Sequence, residues 1–183
     1  MADAAQAAQS ESHSSFGSDH ILLEKYFTEV HHVEIQVLGT CTEPAAPFER
    51  ECSVQRRHQK IIEESPSPIV QFLRRRGGFA AAHGGSGCVS LGAQAGYVSA
   101  GTVEFVVDPR RVLFLEMNTR LQVEHPVTEL VTGLIWPPGK FALPPGSRCR
   151  FWANGSVSSA RPCLECRVYA EDPARTLAVD WAD

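Results

Sequence analysis

Residues 113–124 alternate between apolar and polar side chains with a period of two. Successive side chains of an extended strand point to opposite faces, so the two sets are predicted to lie on opposite sides. The polar row holds carboxylates and amides, which bind hard cations, and a guanidinium, which binds oxyanions. It contains no lysine or serine, and this composition favours a ligand site over a solvated strand face. The apolar side, expected to be anchored, comprises Leu113, Leu115, Met117, Leu121 and Val123, and the polar side comprises Glu116, Asn118, Arg120, Gln122 and Glu124.

A predicted hairpin adds a further carboxylate to this row. Residues 103–107 and 112–117 have strand character, and the segment DPRR at residues 108–111 is typical of a turn. The hairpin places Glu104 and Glu116 on neighbouring strands, where both carboxylates can converge on one cation. Asn118 shares the face of Glu116, and Mg²⁺ is often held by one or two carboxylates together with nucleotide phosphates. The sequence therefore predicts an Mg²⁺ or Mn²⁺ site made by Glu104, Glu116 and Asn118.

The segment EMNTRLQVEHP at residues 116–126 resembles the signature of biotin carboxylases, the ATP-grasp components of biotin-dependent carboxylases. Residues 22–27 with 32–37, then 49–60 and 165–173, resemble the same family in the same order. The segment IIEESPSP at residues 61–68 is most similar to the biotin-bearing subunit of acyl-CoA carboxylases, first 3-methylcrotonyl-CoA and second propionyl-CoA carboxylase. The resemblance implies an α/β (α+β) fold, with a partial ATP-grasp domain built on an antiparallel sheet and followed by the start of the biotin carboxylase C-terminal domain.

The expected organisation follows from where this resemblance holds and where it fails. We expect a polar tail or helix remnant at 1–18, the partial ATP-grasp domain at 19–133, an irregular Pro/Gly-rich segment at 134–162, and the start of the C-terminal domain at 163–183. Residues 20–26 and 33–37 are predicted strands. Residues 65–95 are predicted to be an irregular insert, because five glycines replace part of a family helix and each interior glycine costs up to about 1 kcal/mol.

The resemblance also implies the roles of the reacting groups. Lys60 and Arg120 would hold bicarbonate together with Gln122 and the backbone of Val123, and Glu124 would accept the bicarbonate proton as general base. Arg167 would stabilise negative charge on the ureido oxygen of biotin. The implied nucleotide-binding residues are Glu24, Lys25 and Phe27 beside the adenine, His32 near the ribose, and Gln55 and His58 facing the phosphates.

The implied reaction is ATP-dependent carboxylation of biotin with bicarbonate, as part of an acyl-CoA carboxylase. Its cofactors and partners would be ATP, Mg²⁺ or Mn²⁺, bicarbonate, biotin on a carrier domain, and further carboxylase subunits. The family's Rossmann-like domain, ATP-binding lysines and lid loop would precede residue 1, and no biotin-accepting Met-Lys pair is present. We therefore expect this chain to be inactive alone, and the alternative is a non-catalytic truncated product that folds poorly or docks on a complete subunit.

Composition argues against several other classes of protein and against a structural zinc site. The net charge of −4 over 183 residues does not indicate a basic surface that would bind nucleic acid or an anionic membrane. The single close cysteine pair, Cys163 and Cys166, lacks the second pair that a structural zinc site needs. The resemblance to eukaryotic acyl-CoA carboxylases implies the mitochondrial matrix, and the cytoplasm is the alternative.

Overall fold

A computed structural model describes residues 2–39, 46, 48–75, 87–133 and 161–170. Six strands form one antiparallel sheet in the order β5-β4-β1-β2-β3-β6, and four helices accompany it within these residues. This arrangement confirms the predicted α/β class and its antiparallel sheet. The elements are α1 (Ala2–Phe16), β1 (His31–Gly39), β2 (Glu49–Arg56), β3 (Gln59–Ser65), α2 (Pro68–Arg75), α3 (Gly87–Gln94), β4 (Ser99–Asp108), β5 (Arg111–Asn118), α4 (His125–Thr132) and β6 (Cys163–Cys166).

One face of the central strands is apolar. Val33, Ile35 and Val37 of β1 alternate along the strand, and all three are buried. In the antiparallel register Val33 lies opposite Phe105 and Ile35 lies opposite Val103 on β4. These side chains form the hydrophobic core, which confirms the strand predicted at residues 33–37.

Helices α2 and α3 contribute to this core, so the prediction that residues 65–95 form an irregular insert is wrong for 68–75 and 87–94. Ile69, Val70 and Leu73 of α2 are buried in the core with Cys88 of α3. Their spacing places the three α2 residues on one side of a helix, and this local pattern outweighs the nearby glycines. Residues 76–86, which contain most of the glycine run, lie outside the described residues, as do residues 134–160.

The opposite face of the same strands is also buried, but it is polar. Glu34 and Gln36 of β1 are fully buried, and they lie opposite Glu104 and Thr102 of β4. Helix α4 contacts strands β2, β3 and β6. The sheet therefore separates a hydrophobic layer from a buried polar layer.

The N-terminal region departs from one prediction. Residues 18–27 have no regular secondary structure, so the strand predicted at 20–26 is absent. No described strand pairs with this segment, and most of its apolar side chains are exposed, as the 92% exposure of Leu22 illustrates. Before it, α1 extends through Phe16 and lies within residues 1–18, the range predicted to be a polar tail or helix remnant.

Strand β5 does not keep the strict alternation predicted for residues 113–124. Glu104 pairs with Glu116 and Phe105 pairs with Phe114, so Leu115 is an extra residue that forms a bulge. Leu115 is exposed, Val123 is also exposed, and the strand ends at Asn118. The predicted anchored face is therefore wrong for these two side chains, whereas Met117 does pack against the core.

Candidate functional site

A cavity of about 460 Å³ opens on the polar side of the sheet. Its lining side chains come from β1, β3, β4 and β5, from the turn between β2 and β3, from the turn before α4, and from the segment after β6. The lining residues are His32, His58, Gln59, Lys60, Glu104, Leu115, Glu116, Asn118, Arg120, Gln122, Val123, Glu124, Arg167 and Tyr169. Most of the residues predicted from the sequence to bind metal, bicarbonate or biotin therefore share one space.

Lys60 lies at the centre of this site. Its Nζ donates to Glu34 Oε2 at 2.5 Å, to Glu104 Oε1 at 3.0 Å and to Glu124 Oε1 at 2.5 Å. An ammonium has three N–H donors, so these contacts use all of them. Burial opposes the charge on Lys60, but the attraction of Glu34 and the hydrogen bond to Glu124 raise its pKa above the usual range.

The three carboxylates around Lys60 each have a second partner on their other oxygen. These pairs are Glu34 with Arg50 Nε, Glu104 with His32 Nε2 and Glu124 with Arg167 Nη2, all at 2.7 Å. Burial opposes ionisation of Glu104 and Glu124, yet the hydrogen bonds that they accept lower the pKa of both carboxyls. The site is thus a network in which acidic and basic side chains alternate.

Backbone pairing with β3 brings Arg167 into this network. Strand β6 pairs with β3, and the N–H of Arg167 donates to the carbonyl of Ile61 at 2.9 Å. Two residues further on, the hydroxyl of Tyr169 donates to the carbonyl of Lys60 at 2.7 Å. Arg167 Nε also lies 2.5 Å from Glu63 Oε1. Residues far apart in sequence are therefore fixed next to Glu124 by strand addition.

The geometry of Glu104, Glu116 and Asn118 fits a hard cation. The two glutamates are cross-strand partners, and Asn118 Nδ2 donates to an Oε1 atom of each, at 3.0 Å and 3.2 Å. A divalent cation in that position would take carboxylate oxygens, and rotation of the Asn118 amide would present its oxygen instead of its nitrogen. The lowered pKa of Glu104 keeps this carboxylate ionised for such a ligand.

A second group of possible metal ligands, made by His32, Glu34 and Glu104, lies deeper in the site. Their ligand atoms lie within 4.8 Å of one another. Lys60 Nζ donates to both glutamates of this group, so an ammonium supplies the positive charge that a metal would bring. In the other set Lys60 contacts Glu104 but not Glu116, so the donor set at Glu104, Glu116 and Asn118 is the better candidate.

A neighbouring part of the cavity suits a small oxyanion. Arg120 is exposed, and its Nη1 makes only a long hydrogen bond of 3.5 Å to the carbonyl of Leu121 within the described residues. Gln122 is buried, its Nε2 donates to Glu104 at 2.7 Å, and its Oε1 has no hydrogen-bond partner among the described residues. A ligand that accepts from Arg120 and donates to Gln122 Oε1 would satisfy both groups.

The predicted nucleotide residues divide into two groups. His32 and His58 line the cavity, and Gln55 Nε2 lies 2.7 Å from His32 Nδ1. His58 is held in the tight turn between β2 and β3 at a φ of +66°. The predicted adenine residues Glu24, Lys25 and Phe27 do not line this cavity, and the Lys25 ammonium instead lies 5.4 Å from the Phe27 ring centroid.

Sequence reasoning missed several members of the network. Glu34 shares the period-two face of His32, so the alternation of β1 could have identified it. Arg50 and Glu63 gave no such signal, since a buried charge is identified only by its partners in space. Tyr169 lies two residues beyond Arg167 and could have been found by the same alternation.

Comparisons with known proteins agree with this geometry. Residues 1–136 match the family model described as the carbamoyl-phosphate synthase L chain, ATP binding domain. The propionyl-CoA carboxylase alpha chain of Ruegeria pomeroyi is 45% identical over 93% of this chain and 24% of its own length. The methylcrotonoyl-CoA carboxylase subunit alpha of Rattus norvegicus is 44% identical over 92% of this chain and 23% of its own length.

A solved structure extends the likeness to the fold. The biotin carboxylase domain of the Hydrogenobacter thermophilus 2-oxoglutarate carboxylase, in complex with MgADP, ADP and bicarbonate, has a TM-score of 0.80 and 37% identity. The match covers 97% of this chain and 38% of that one. The chain is thus an ATP-grasp protein, and it belongs to the biotin carboxylase family. It spans about a quarter of the length of the curated relatives that it matches.

Proposed function

We propose that this chain carries the metal, bicarbonate and base groups of a biotin carboxylase site, which uses ATP and bicarbonate to carboxylate biotin. The observation that carries the proposal is the continuous network of ion pairs from Lys60 through Glu124 to Arg167. Beside this network, Arg120 makes only one long hydrogen bond and Gln122 Oε1 accepts none within the described residues. The biotin carboxylase domain of the Hydrogenobacter thermophilus 2-oxoglutarate carboxylase, which has the same fold, was solved in complex with MgADP and bicarbonate. The bicarbonate would accept from Arg120 and Lys60, and its hydroxyl would donate to Gln122 or Glu124.

The two cations bound to Glu124 supply a physical account of its role as base. Lys60 and Arg167 both donate to this carboxylate and help to keep its pKa low, so in the free site it is ionised but weakly basic. When Lys60 turns to bicarbonate and Arg167 turns to the ureido oxygen of biotin, Glu124 loses both cations. Its basicity then rises where the proton of bicarbonate has to be removed, which is the condition that general base catalysis favours.

Glu104, Glu116 and Asn118 would hold Mg²⁺ or Mn²⁺, which when bound neutralises charge on the nucleotide phosphates. His58 and Gln55 would lie on the phosphate side, and His32 would lie near the ribose. Glu24 and the backbone of Lys25 and Phe27 remain our proposal for adenine recognition, and this role requires residues 18–27 to approach the cavity.

Bicarbonate binding tests the proposal most directly. We expect Arg120→Gln to weaken binding of ¹³C-bicarbonate by about tenfold in the presence of Mg²⁺ and ADP, because a charged donor is lost. Arg110→Gln is the matched control, since Arg110 is an exposed arginine in the β4–β5 turn and does not line the cavity. Equal bicarbonate affinity in the two variants would remove Arg120 from the site and contradict the proposal.

The predicted absence of turnover tests how much of the site this chain supplies. We expect no bicarbonate-dependent ATP hydrolysis with free biotin, because the adenine residues lie away from the cavity and further cations would be needed around the triphosphate. A rate near that of a complete biotin carboxylase would contradict this expectation. The exposed apolar residues of segment 18–27 favour a second candidate, a non-catalytic product that docks on a complete carboxylase subunit.

The partners, parent activity and localisation that we propose rest on similarity to the relatives named above. A biotin carrier domain and other carboxylase subunits are the partners that we propose, with 3-methylcrotonyl-CoA or propionyl-CoA carboxylase as the parent activity. For localisation we propose the mitochondrial matrix, because the human relative is a mitochondrial chain that is 43% identical, and the bacterial relative keeps the cytoplasm as the alternative. None of the helices within the described residues is long and apolar enough to cross a membrane.

A further inference from the structure

Arg50 is a completely buried arginine beneath the site, and none of the roles above uses it. Its Nε donates to Glu34 Oε1 at 2.7 Å, and its Nη1 donates to Gln36 Oε1 at 2.9 Å and to Thr128 Oγ1 at 2.6 Å. A longer contact of 3.4 Å joins Nη2 to Thr102 Oγ1. One guanidinium on β2 therefore ties together β1, β4 and α4.

These contacts reach both partners of the Lys60–Glu124 pair. Glu34 holds Arg50 with one carboxylate oxygen and Lys60 with the other. Thr128 lies in the first turn of α4, and Glu124 is the residue that caps this helix. Arg50 thus fixes Lys60 through Glu34, and it fixes the position of Glu124 through the helix that follows it.

Charge provides the second part of the argument. Burial opposes the charge on Arg50, but the attraction of Glu34 and its hydrogen bond, together with the more distant charge of Glu124, raise the pKa of Arg50, so the guanidinium stays charged. Without it, Glu34 would be a buried carboxylate with Lys60 as its remaining cationic partner, and the ammonium would be drawn towards Glu34 and away from the cavity. Buried ion pairs are often no more stabilising than packed apolar residues, so stability alone gives little reason for an arginine here.

We propose that Arg50 is a positioning residue, which sets the Lys60 ammonium and the Glu124 carboxylate at the geometry that bicarbonate requires. The inference rests on the proposed function of the Lys60–Glu124 pair. It assigns no contact between Arg50 and substrate. It predicts that a change at Arg50 alters the surroundings of Lys60 Nζ even when the fold is kept.

The ¹⁵Nζ NMR signal of Lys60, assigned by its loss in Lys60→Met, reports these surroundings without any need for activity. We expect Arg50→Met to shift this signal and to weaken ¹³C-bicarbonate binding by about tenfold, the loss expected for one charged hydrogen bond. Arg50→Lys restores a positive charge beside Glu34 and should return the signal towards its wild-type position. Thr128→Val removes one Arg50 contact and should give a smaller shift in the signal.

Two variants of α4 separate positioning from general destabilisation. Val131→Ala removes buried apolar volume from this helix, and Thr132→Val removes a hydroxyl that donates to the carbonyls of Thr128 and Glu129. Both should leave the Lys60 signal unchanged. If Arg50→Met does not fold, the Lys60 signal in Arg50→Lys and Thr128→Val is compared with the signal in the same two controls, and this comparison tests the positioning role.

The outcomes distinguish this inference from the proposed function. A Lys60 signal that stays within the spread of the two controls in every folded Arg50 and Thr128 variant would overturn the positioning role. A wild-type chain that binds no bicarbonate would count against the proposed function, whereas the shift of the Lys60 signal would still support or overturn the role of Arg50.

Discussion

The two faces of the sheet are held together by different interactions. On one face Val33, Ile35 and Val103 pack against α2 and α3, and contact among apolar side chains fills the space. On the other face Glu34 and Arg50 are equally buried, but every arrangement there is set by hydrogen bonds. Adjacent residues of the same strand, such as Val33 and Glu34, therefore belong to two different kinds of interior.

The difference teaches how rigidity is distributed around the candidate site. An apolar core tolerates changes of similar volume, because its interactions have little direction. A buried polar network fails when one partner is removed, because the remaining groups are left without hydrogen bonds. We expect the polar face to be the more sensitive to substitution.

The largest effect should follow from removing the centre of the polar face. Lys60→Met leaves three carboxylates without their shared cation, and loss of one partner of a buried ion pair costs about 3–5 kcal/mol. Chemical unfolding of the wild type and the variant measures this difference. A loss of stability below 1 kcal/mol would mean that the network contributes little to the folded state.

A comparable or smaller loss of stability is expected for a substitution on the apolar face. Ile35→Ala removes buried methyl groups from the core and should destabilise the protein by about 2–5 kcal/mol. The Lys60 ¹⁵Nζ signal should remain at its wild-type position in this variant, since Ile35 points away from the site. Movement of that signal would show that the two faces are coupled through the strand, which would contradict the division made above.

Acid should change the effect of a substitution at Glu124 on the polar face and leave the effect of a substitution at Ile35 on the apolar face unchanged. The pKa of Glu124 is lower in the folded chain than its ordinary value of 4.5, so this carboxylate stabilises the fold above that pH, and the contribution is lost as pH falls through the folded-state pKa. The difference in unfolding free energy between wild type and Glu124→Gln should therefore shrink on acidification below 4.5. The difference between wild type and Ile35→Ala should not shrink, and an equal response of the two variants would argue against this assignment.

The smallest effect on stability is expected at the exposed rim of the polar face. Glu116→Gln should change the unfolding free energy by no more than about 0.5 kcal/mol, because Glu116 is exposed and its carboxylate is not part of the Lys60 network. In a complete biotin carboxylase with the same motif, the same change should abolish metal-dependent ATP cleavage. Wild-type cleavage in that variant would remove Glu116 from the metal site.

The sequence predicted the strands and the hairpin wherever a local pattern was strong. Alternation indicated β1, the turn at residues 108–111 indicated the β4–β5 hairpin, and the pairing of Glu104 with Glu116 followed from them. The same reasoning was wrong at residues 20–26, where an apolar run found no partner strand, and at α2, where the nearby glycines obscured a short amphipathic helix. The first error concerns packing, which a local pattern does not contain, whereas the second overlooked a local pattern that was present.

Residue types and their spacing indicated which groups could act among residues 104–124, namely the carboxylates, the amides and the guanidinium, and the resemblance to biotin carboxylases added Lys60 and Arg167. Only the tertiary structure shows that Lys60 lies between three carboxylates. It also shows that the second oxygen of each carboxylate contacts Arg50, His32 or Arg167. It also decided that the bulge at Leu115 ends the alternation. The physical reason is that a buried charge is stable only with partners, and those partners come from strands and a helix that are remote in sequence.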